Sequence, residues 1–527
     1  MRKALLLISA VLLLIVGCSK KDVNQKSVFN PEGYPIVNEP VTLKIAVEKH
    51  VLHGNFSEMS FFKNYEEMTG VHIDWIEIPQ ANHKEKVNLL LASQDLPDIF
   101  LGGKGLTDRH IIKYGPAGAF IPLEGLIAEY APNITAFLNK YPDVRKAITA
   151  PDGHIYSLPA FDEFTEKENR DNMFINKKWL DAVGLDVPKT TEDFYNALKA
   201  FKEQDPNGNG LADEIPWSFL ANNAVLGNMS FFGAFGVIDD PENHLMVKDG
   251  KPVFVPATDG YREGLKFLQR LYSENLLDRE TYTQSRKELL SKGKTDETTL
   301  GVFSIWLDEN MVGAEKAKSD YVMLPPLDGP GDETYWAWSP WTFLGRNRFV
   351  ITSADEYPEI SIRWADWLFT EDGSWQAMYG PYGVCIEKDA AGDITTITPP
   401  DGMTEDEFKF FNSPVYVVPQ ALTREMYTHY SLPESRQRKL ARHAVYSKYF
   451  PKEYFPRGYY SQDQIRVLDT YVTDINNYVE EMQAKWVVNA DIDIDAVWDD
   501  YLERLEKMGL SEVMTVYGDF YNTFKNN

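Results

Sequence analysis

Between Val41 and Gly103 the apolar residues switch repeatedly between period two and helical spacing, and this pattern constrains the fold most. Val41-Thr-Leu-Lys-Ile-Ala-Val47 alternates as a strand does. Ser57 is placed to cap a helix carrying Phe61, Phe62, Tyr65 and Met68, which Gly70 ends. Val71 to Ile78 alternates again, and Lys84 to Ala92 puts Val87, Leu90 and Leu91 on one helical side. Asp98-Ile-Phe-Leu101 is a third, short strand running into Gly102 and Gly103. A β-α-β-α-β order predicts an α/β fold with a mostly parallel sheet. Ligands collect at the carboxyl ends of such strands. Those ends are Glu48 to Asn55, Pro79 to Asn82, and Gly102 to Gly105.

A chain of 527 residues exceeds what one core organises, so two domains are expected. From Phe174 the pattern becomes helix-rich, with helical spacing over Lys177 to Val183, Thr191 to Glu203 and Tyr261 to Glu274. Thr299 to Trp306 reads as a further strand that rejoins the first sheet. Two long helices lie near the C-terminus. One carries Leu468, Tyr471, Val472, Ile475, Val479 and Met482; the other carries Val497, Tyr501, Leu505 and Met508 and stops at Gly509.

The N-terminus has the layout of an export signal. Arg2 and Lys3 precede an apolar run from Ala4 to Val16, too short to span a bilayer as a helix. Gly17-Cys18 follows and resembles the lipobox of bacterial lipoproteins. That resemblance implies cleavage of residues 1–17, lipid on Cys18, and a protein held outside the cytoplasm by its lipid alone. Residues 18–40 read as a polar tether to the folded body. The other cysteine, Cys385, cannot pair with a lipidated Cys18, so burial must hold the fold together.

The formal charge of -26 argues against nucleic acid and against a polybasic contact with anionic lipid. Signals for enzyme chemistry are weak: HExxH, CxxC and GxSxG are absent. Ser291-Lys-Gly-Lys-Thr295 imitates the end of a phosphate loop, but Glu288 stands where the glycine is needed.

The leader, the β-α-β opening and the turn Gln94-Asp-Leu-Pro-Asp-Ile99 together resemble the extracellular solute-binding proteins of ABC sugar importers. Phe174-Ile-Asn-Lys-Lys-Trp-Leu180 with Val187-Pro-Lys-Thr-Thr-Glu-Asp193, Tyr357-Pro-Glu with Trp364-Ala-Asp-Trp-Leu, and Trp498-Asp-Asp-Tyr with Met508-Gly-Leu are similar to later stretches of that family. The resemblance implies two lobes, a hinge of crossing strands and sugar in the cleft between them. It places 41–161 and 285–350 in the first lobe, and 162–284 and 351–527 in the second. It implies a monomer that binds oligosaccharide, hands it to ABC permease subunits and catalyses nothing. A surface glycoside hydrolase or lyase, and a peptide-binding importer component, are the alternatives.

Asp205-Pro-Asn-Gly-Asn-Gly-Leu-Ala-Asp-Glu214 has the spacing of an EF-hand-like loop. Asp205, Asn207 and Asn209 take positions one, three and five, the Leu211 carbonyl position seven, and Asp213 position nine. Position twelve is Pro216, so Glu214 is expected to supply the missing oxygens. A hard cation needs such a dense oxygen cage, and structural calcium is the expectation. The shortened loop is similar to the calcium site of large alginate-binding relatives. An Asx-rich turn without metal is the alternative.

Tyr335-Trp-Ala-Trp-Ser-Pro-Trp341 is the densest aromatic cluster. Trp336, Trp338 and Trp341 are candidates for stacking on sugar, as are Trp217, Trp306 and Tyr379. For any one of these tryptophans, core packing is as good a reading as the cleft. Polar cleft candidates are Glu48, Asn55 and Arg346.

Overall fold

The computed structural model describes residues 28–102, 105–164, 171–240, 243–331, 333–337, 344–431 and 434–526. The leader, Cys18, Trp338 and Trp341 lie outside the described residues.

The opening run folds as its periodicity predicts. β1 (Val41–Lys49), α1 (Ser60–Thr69), β2 (Val71–Pro79), α2 (His83–Ser93) and β3 (Ile99–Leu101) follow one another. Alternation splits the sheet between two cores. Leu43, Ile45, Val47, Ile99 and Leu101 face one core, which Phe61, Phe62 and Tyr65 of α1 cover. Ala46, Ile78 and Phe100 face another, covered by Val87, Leu90 and Leu91 of α2. Gly70 ends α1 in the left-handed conformation at φ 73°, where a side chain is disfavoured.

α3 (Asp108–Tyr114) and β4 (Leu158–Asp162) follow, and then the chain leaves for a second sheet. That sheet comprises β5 (Asn172–Asn176), β6 (Ile215–Trp217), β7 (Leu300–Ile305) and β8 (Tyr321–Met323), in the order β8-β5-β7-β6. β9 (Gly345–Ile351) and β10 (Gln420–Leu422) return to the first sheet, which reads β10-β4-β9-β3-β1-β2.

Three expectations change here. Thr299 to Trp306 does not rejoin the first sheet: β7 pairs antiparallel with β5 and parallel with β6. An apolar strand of this kind suits either sheet, and its partner β5 is distant in sequence. Residues beyond 351 do not all belong with the second sheet. Ile360, Trp364 and Leu368 pack in the first lobe's core, and β10 pairs with β4. Finally, the second half of the expected tether is docked. Phe29 bridges Val37, Ile36 is fully buried, and the Arg363 guanidinium donates to the carbonyls of Pro31 and Gly33.

The second lobe has its own core. α4 (Thr191–Glu203) begins with a capping box between Thr190 and Asp193 and buries Phe194, Leu198 and Phe201. α5 (Asp259–Ser273) contributes Leu265 and Leu268. α6 (Glu434–Tyr446) ends on Tyr446 in this core. α7 (Gln462–Val488), α8 (Ile494–Lys507) and α9 (Leu510–Asn526) close the chain. α7 touches both lobes. Near its start the Gln462 amide donates to the Ile112 carbonyl, while Trp486 at its far end is buried beside Trp498 and Tyr501.

Candidate functional site

Strand directions bring the chemistry to one edge. β1, β2 and β3 are parallel, β9 is antiparallel to β3 and β4, and β10 is parallel to β4. The carboxyl ends of β1, β3, β4 and β10 and the start of β9 therefore share an edge. In the second sheet the ends of β6, β7 and β8 and the start of β5 do the same. β4 and β5 are consecutive strands of different sheets, as are β8 and β9, so the chain changes lobe after β4 and again after β8. A third passage follows β10, where α6 runs to Tyr446.

A cavity of about 430 Å³ opens at the first edge. Its walls carry Asp108, Asp162, Arg346, Arg348, Tyr416, Gln420 and Arg457. Gln420 is 1% exposed, and its Oε1 has no partner among the described residues. The Arg348 Nε is likewise buried without one. Buried polar atoms of folded proteins are nearly always paired, with protein or with ordered water, so these two can take a partner from a ligand or from water in the cavity. Burial pulls the Arg348 guanidinium below its ordinary pKa, against the opposing pull of the Glu48 carboxylate. Arg346 pairs with Asp108 and lies 4.7 Å from the ring centre of Tyr459.

The sequence candidates scatter. Arg346 lines the cavity. Glu48 is not in its wall; 4% exposed, it holds Gln80 Nε2 at 2.8 Å and His83 Nδ1 at 3.0 Å. Asn55 is exposed and accepts from Lys49 Nζ at 2.7 Å. Trp306 follows β7 at the second edge, partly buried, and its carbonyl accepts from Asn172 Nδ2 at 3.1 Å. Next to it Asp308 forms a buried ion pair with Arg442 of α6. Tyr379 lies beside a small pocket of about 60 Å³ with Phe164 and Tyr430. Its hydroxyl is 3.4 Å from that of Tyr427, which donates to Asp162 Oδ1. Burial pushes both phenols well above the ordinary range.

Two tryptophans belong to the core instead. Trp217 is fully buried among Phe194, Phe219 and Phe231. Trp336 is 3% exposed and stacks on Tyr446 with ring centres 4.3 Å apart. Large rings fill cores as readily as they line clefts, so composition alone does not separate the two roles. Sequence reasoning missed Asp162, Arg348 and Gln420. A usable signal lay in Gly345-Arg-Asn-Arg-Phe-Val-Ile351, where polar residues occupy the start of an otherwise apolar strand.

The Asp205–Glu214 loop is folded as a nest of Asx turns. Gly210 N donates to Asp205 Oδ2, Asn209 N to Asn207 Oδ1, and Leu211 N to Asn209 Oδ1. Asn207 and Asn209 direct their amide nitrogens at Asp213, and Asn209 also reaches Glu297. Glu214 is 3% exposed and its Oε1 has no partner among the described residues. Burial, then the charges of Asp213 and Asp205, raise its pKa. Among the described residues no three His, Cys, Asp or Glu side chains converge on one point. A calcium cage here would also draw on two asparagine oxygens and a carbonyl. The orphaned, repelled carboxylate of Glu214 fits a site that takes a cation.

Residues 54–375 match the bacterial extracellular solute-binding protein family. Over its whole length the chain is 32% identical to the fructooligosaccharide ABC transporter substrate-binding protein FusA of Streptococcus pneumoniae, covering 98% of that protein. The structure of FusA in complex with kestose superposes with a TM-score of 0.79 over 92% of this chain and all of that one. An EF-hand mutant of FusA in complex with fructo-nystose gives 0.78 at 32% identity, over the same shares. An extracellular solute-binding protein from Bifidobacterium longum subsp. infantis, 25% identical, gives 0.81 over 92% of this chain and 99% of its own.

Proposed function

Because this chain belongs to the bacterial extracellular solute-binding proteins, we propose that its cavity takes an oligosaccharide built from fructose. It is a binding protein that captures carbohydrate for an ABC importer, not an enzyme. The observation that carries the sugar reading is the cavity at the strand ends, with the unpaired Gln420 Oε1 and Arg348 Nε buried in its wall. Sugar hydroxyls both donate and accept, and they suit a wall of guanidinium, amide and carboxylate groups. Trp306, at the facing edge, is the proposed stacking ring from the second lobe. Glu48 acts on the site through its charge beside Arg348, whereas Asn55 and Tyr379 are proposed to meet only a longer ligand that reaches beyond the cavity.

The test is calorimetric titration of purified protein with kestose and with fructo-nystose. A dissociation constant in the micromolar range, about -8 kcal/mol, is expected. Heat from a peptide library but from neither sugar sinks the reading.

The loop from Asp205 to Glu214 is proposed to hold structural calcium through Asp205, Asn207, Asn209, the Leu211 carbonyl, Asp213 and Glu214. The unpaired Glu214 oxygen supports this, as does the description of one relative as an EF-hand mutant. Calcium binding only to the native fold stabilises it by about 2.7 kcal/mol at a hundredfold excess over the dissociation constant. Chelation should therefore lower the melting temperature by several degrees. Asp205→Ala combined with Asp213→Ala should make the protein indifferent to chelator. Equal melting of the parent protein with and without chelator removes the metal.

Cys18 is proposed as the lipid anchor to the cell membrane, with the protein acting as a monomer. The mass of the mature N-terminus, with or without added acyl chains, decides it.

A further inference from the structure

β9 is irregular where it meets the cavity. Gly345 pairs with Ala160 and Phe349 with Leu158, so four steps along β9 match two along β4. The excess is a bulge, and bulges re-aim side chains. Asn347 sits within it at φ 60°, a left-handed conformation that asparagine tolerates better than most residues.

The Asn347 side chain is 4% exposed and fully engaged. Its Nδ2 donates to Asp108 Oδ1 at 2.9 Å and to the Leu106 carbonyl at 3.3 Å. Its Oδ1 accepts the Tyr459 hydroxyl at 2.5 Å and that of Ser157 at 3.2 Å. An amide can make no more bonds than these. Asn347 borders the cavity too, but these bonds tie its amide down, and the neighbouring Arg346 and Arg348 line the cavity on either side of it.

Tyr459 acts on this bulge twice. It donates to Asn347, and its ring lies under the Arg346 guanidinium. It is itself held firmly. It packs in the core with Ala46, Phe100 and Val350, and two residues later Ser461 opens α7 with a capping box to Gln464.

We infer that Tyr459 is a positioning residue for ligand binding, which fixes the β9 bulge so that Arg346 and Arg348 face the sugar. This rests on the reading of the cavity as an oligosaccharide site. It also gives the C-terminal segment a part in recognition, although it lies 112 residues from Asn347 in sequence.

The experiment compares the full-length protein with Tyr459→Phe, Asn347→Gly and the double variant. Amide hydrogen exchange is measured without sugar, and affinity by titration with kestose. Tyr459→Phe removes the hydroxyl that bonds Asn347 and lies 2.9 Å from Ser157 Oγ, so exchange across 345–349 should rise roughly tenfold and affinity should fall roughly tenfold. Exchange elsewhere in the first sheet should stay as it was. If Tyr459 works through Asn347, the double variant binds no more weakly than Asn347→Gly alone. Unchanged exchange at the bulge overturns the inference, and so do fully additive losses of affinity. If the parent protein binds no fructose oligosaccharide, the sugar reading falls; the exchange arm, which needs no ligand, still decides whether Tyr459 holds the bulge.

Discussion

Arg348→Met should weaken oligosaccharide binding by about 100-fold while the protein stays folded. Hydrogen bonds to charged groups contribute about 1.5–3 kcal/mol each, or roughly 10- to 150-fold in affinity. Arg348 lines the cavity with a buried Nε that has no partner among the described residues, so a ligand hydroxyl can serve as its acceptor. Methionine keeps the length of the apolar stem and removes the donors. The change also strips Glu48, which is 4% exposed, of a neighbouring cation, so a modest fall in melting temperature is expected. Titration with kestose beside a thermal melt separates the two effects. Affinity within twofold of the parent would place the sugar elsewhere.

Trp217→Ala should do the reverse. Truncating a fully buried tryptophan removes about 3–5 kcal/mol of stability. That is a large fraction of the 5–15 kcal/mol typical of native proteins. Phe194, Phe219 and Phe231 surround the ring and cannot all collapse into the space it leaves. The fraction that remains folded should bind sugar normally. Trp217→Phe should recover most of the stability, because the indole Nε1 has no partner to lose among the described residues. Chemical denaturation measures the loss. A stable Trp217→Ala protein with lost affinity would return this residue to the cleft.

The two variants also show where sequence was readable and where it was not. β1 through β3 were legible because alternation and helical spacing are local, and Gly70 marks a helix end by its own chemistry. The helix through Leu468, Ile475 and Val479 was legible for the same reason. The sheet that receives Leu300–Ile305 was not, because β5 chooses it from far away in sequence. The cavity was harder still. Asp162 and Gln420 border apolar runs and Arg348 sits in the polar start of β9, and only the assembled sheet brings them together. For Trp217 and Trp336, the sequence names a large ring but not the neighbours that bury it.

The docking of residues 28–37 sets a mechanical asymmetry. Phe29, Ile36 and Val37 fasten the N-terminal segment to the first lobe, beside Arg363. With lipid on Cys18, ten residues separate the bilayer from Val28, and whatever their conformation they span at most roughly 35 Å. Such a leash would pull on the first lobe only. A lipid on Cys18 would then hold that lobe near the bilayer, and any closure over sugar would move the distal half against a moored one.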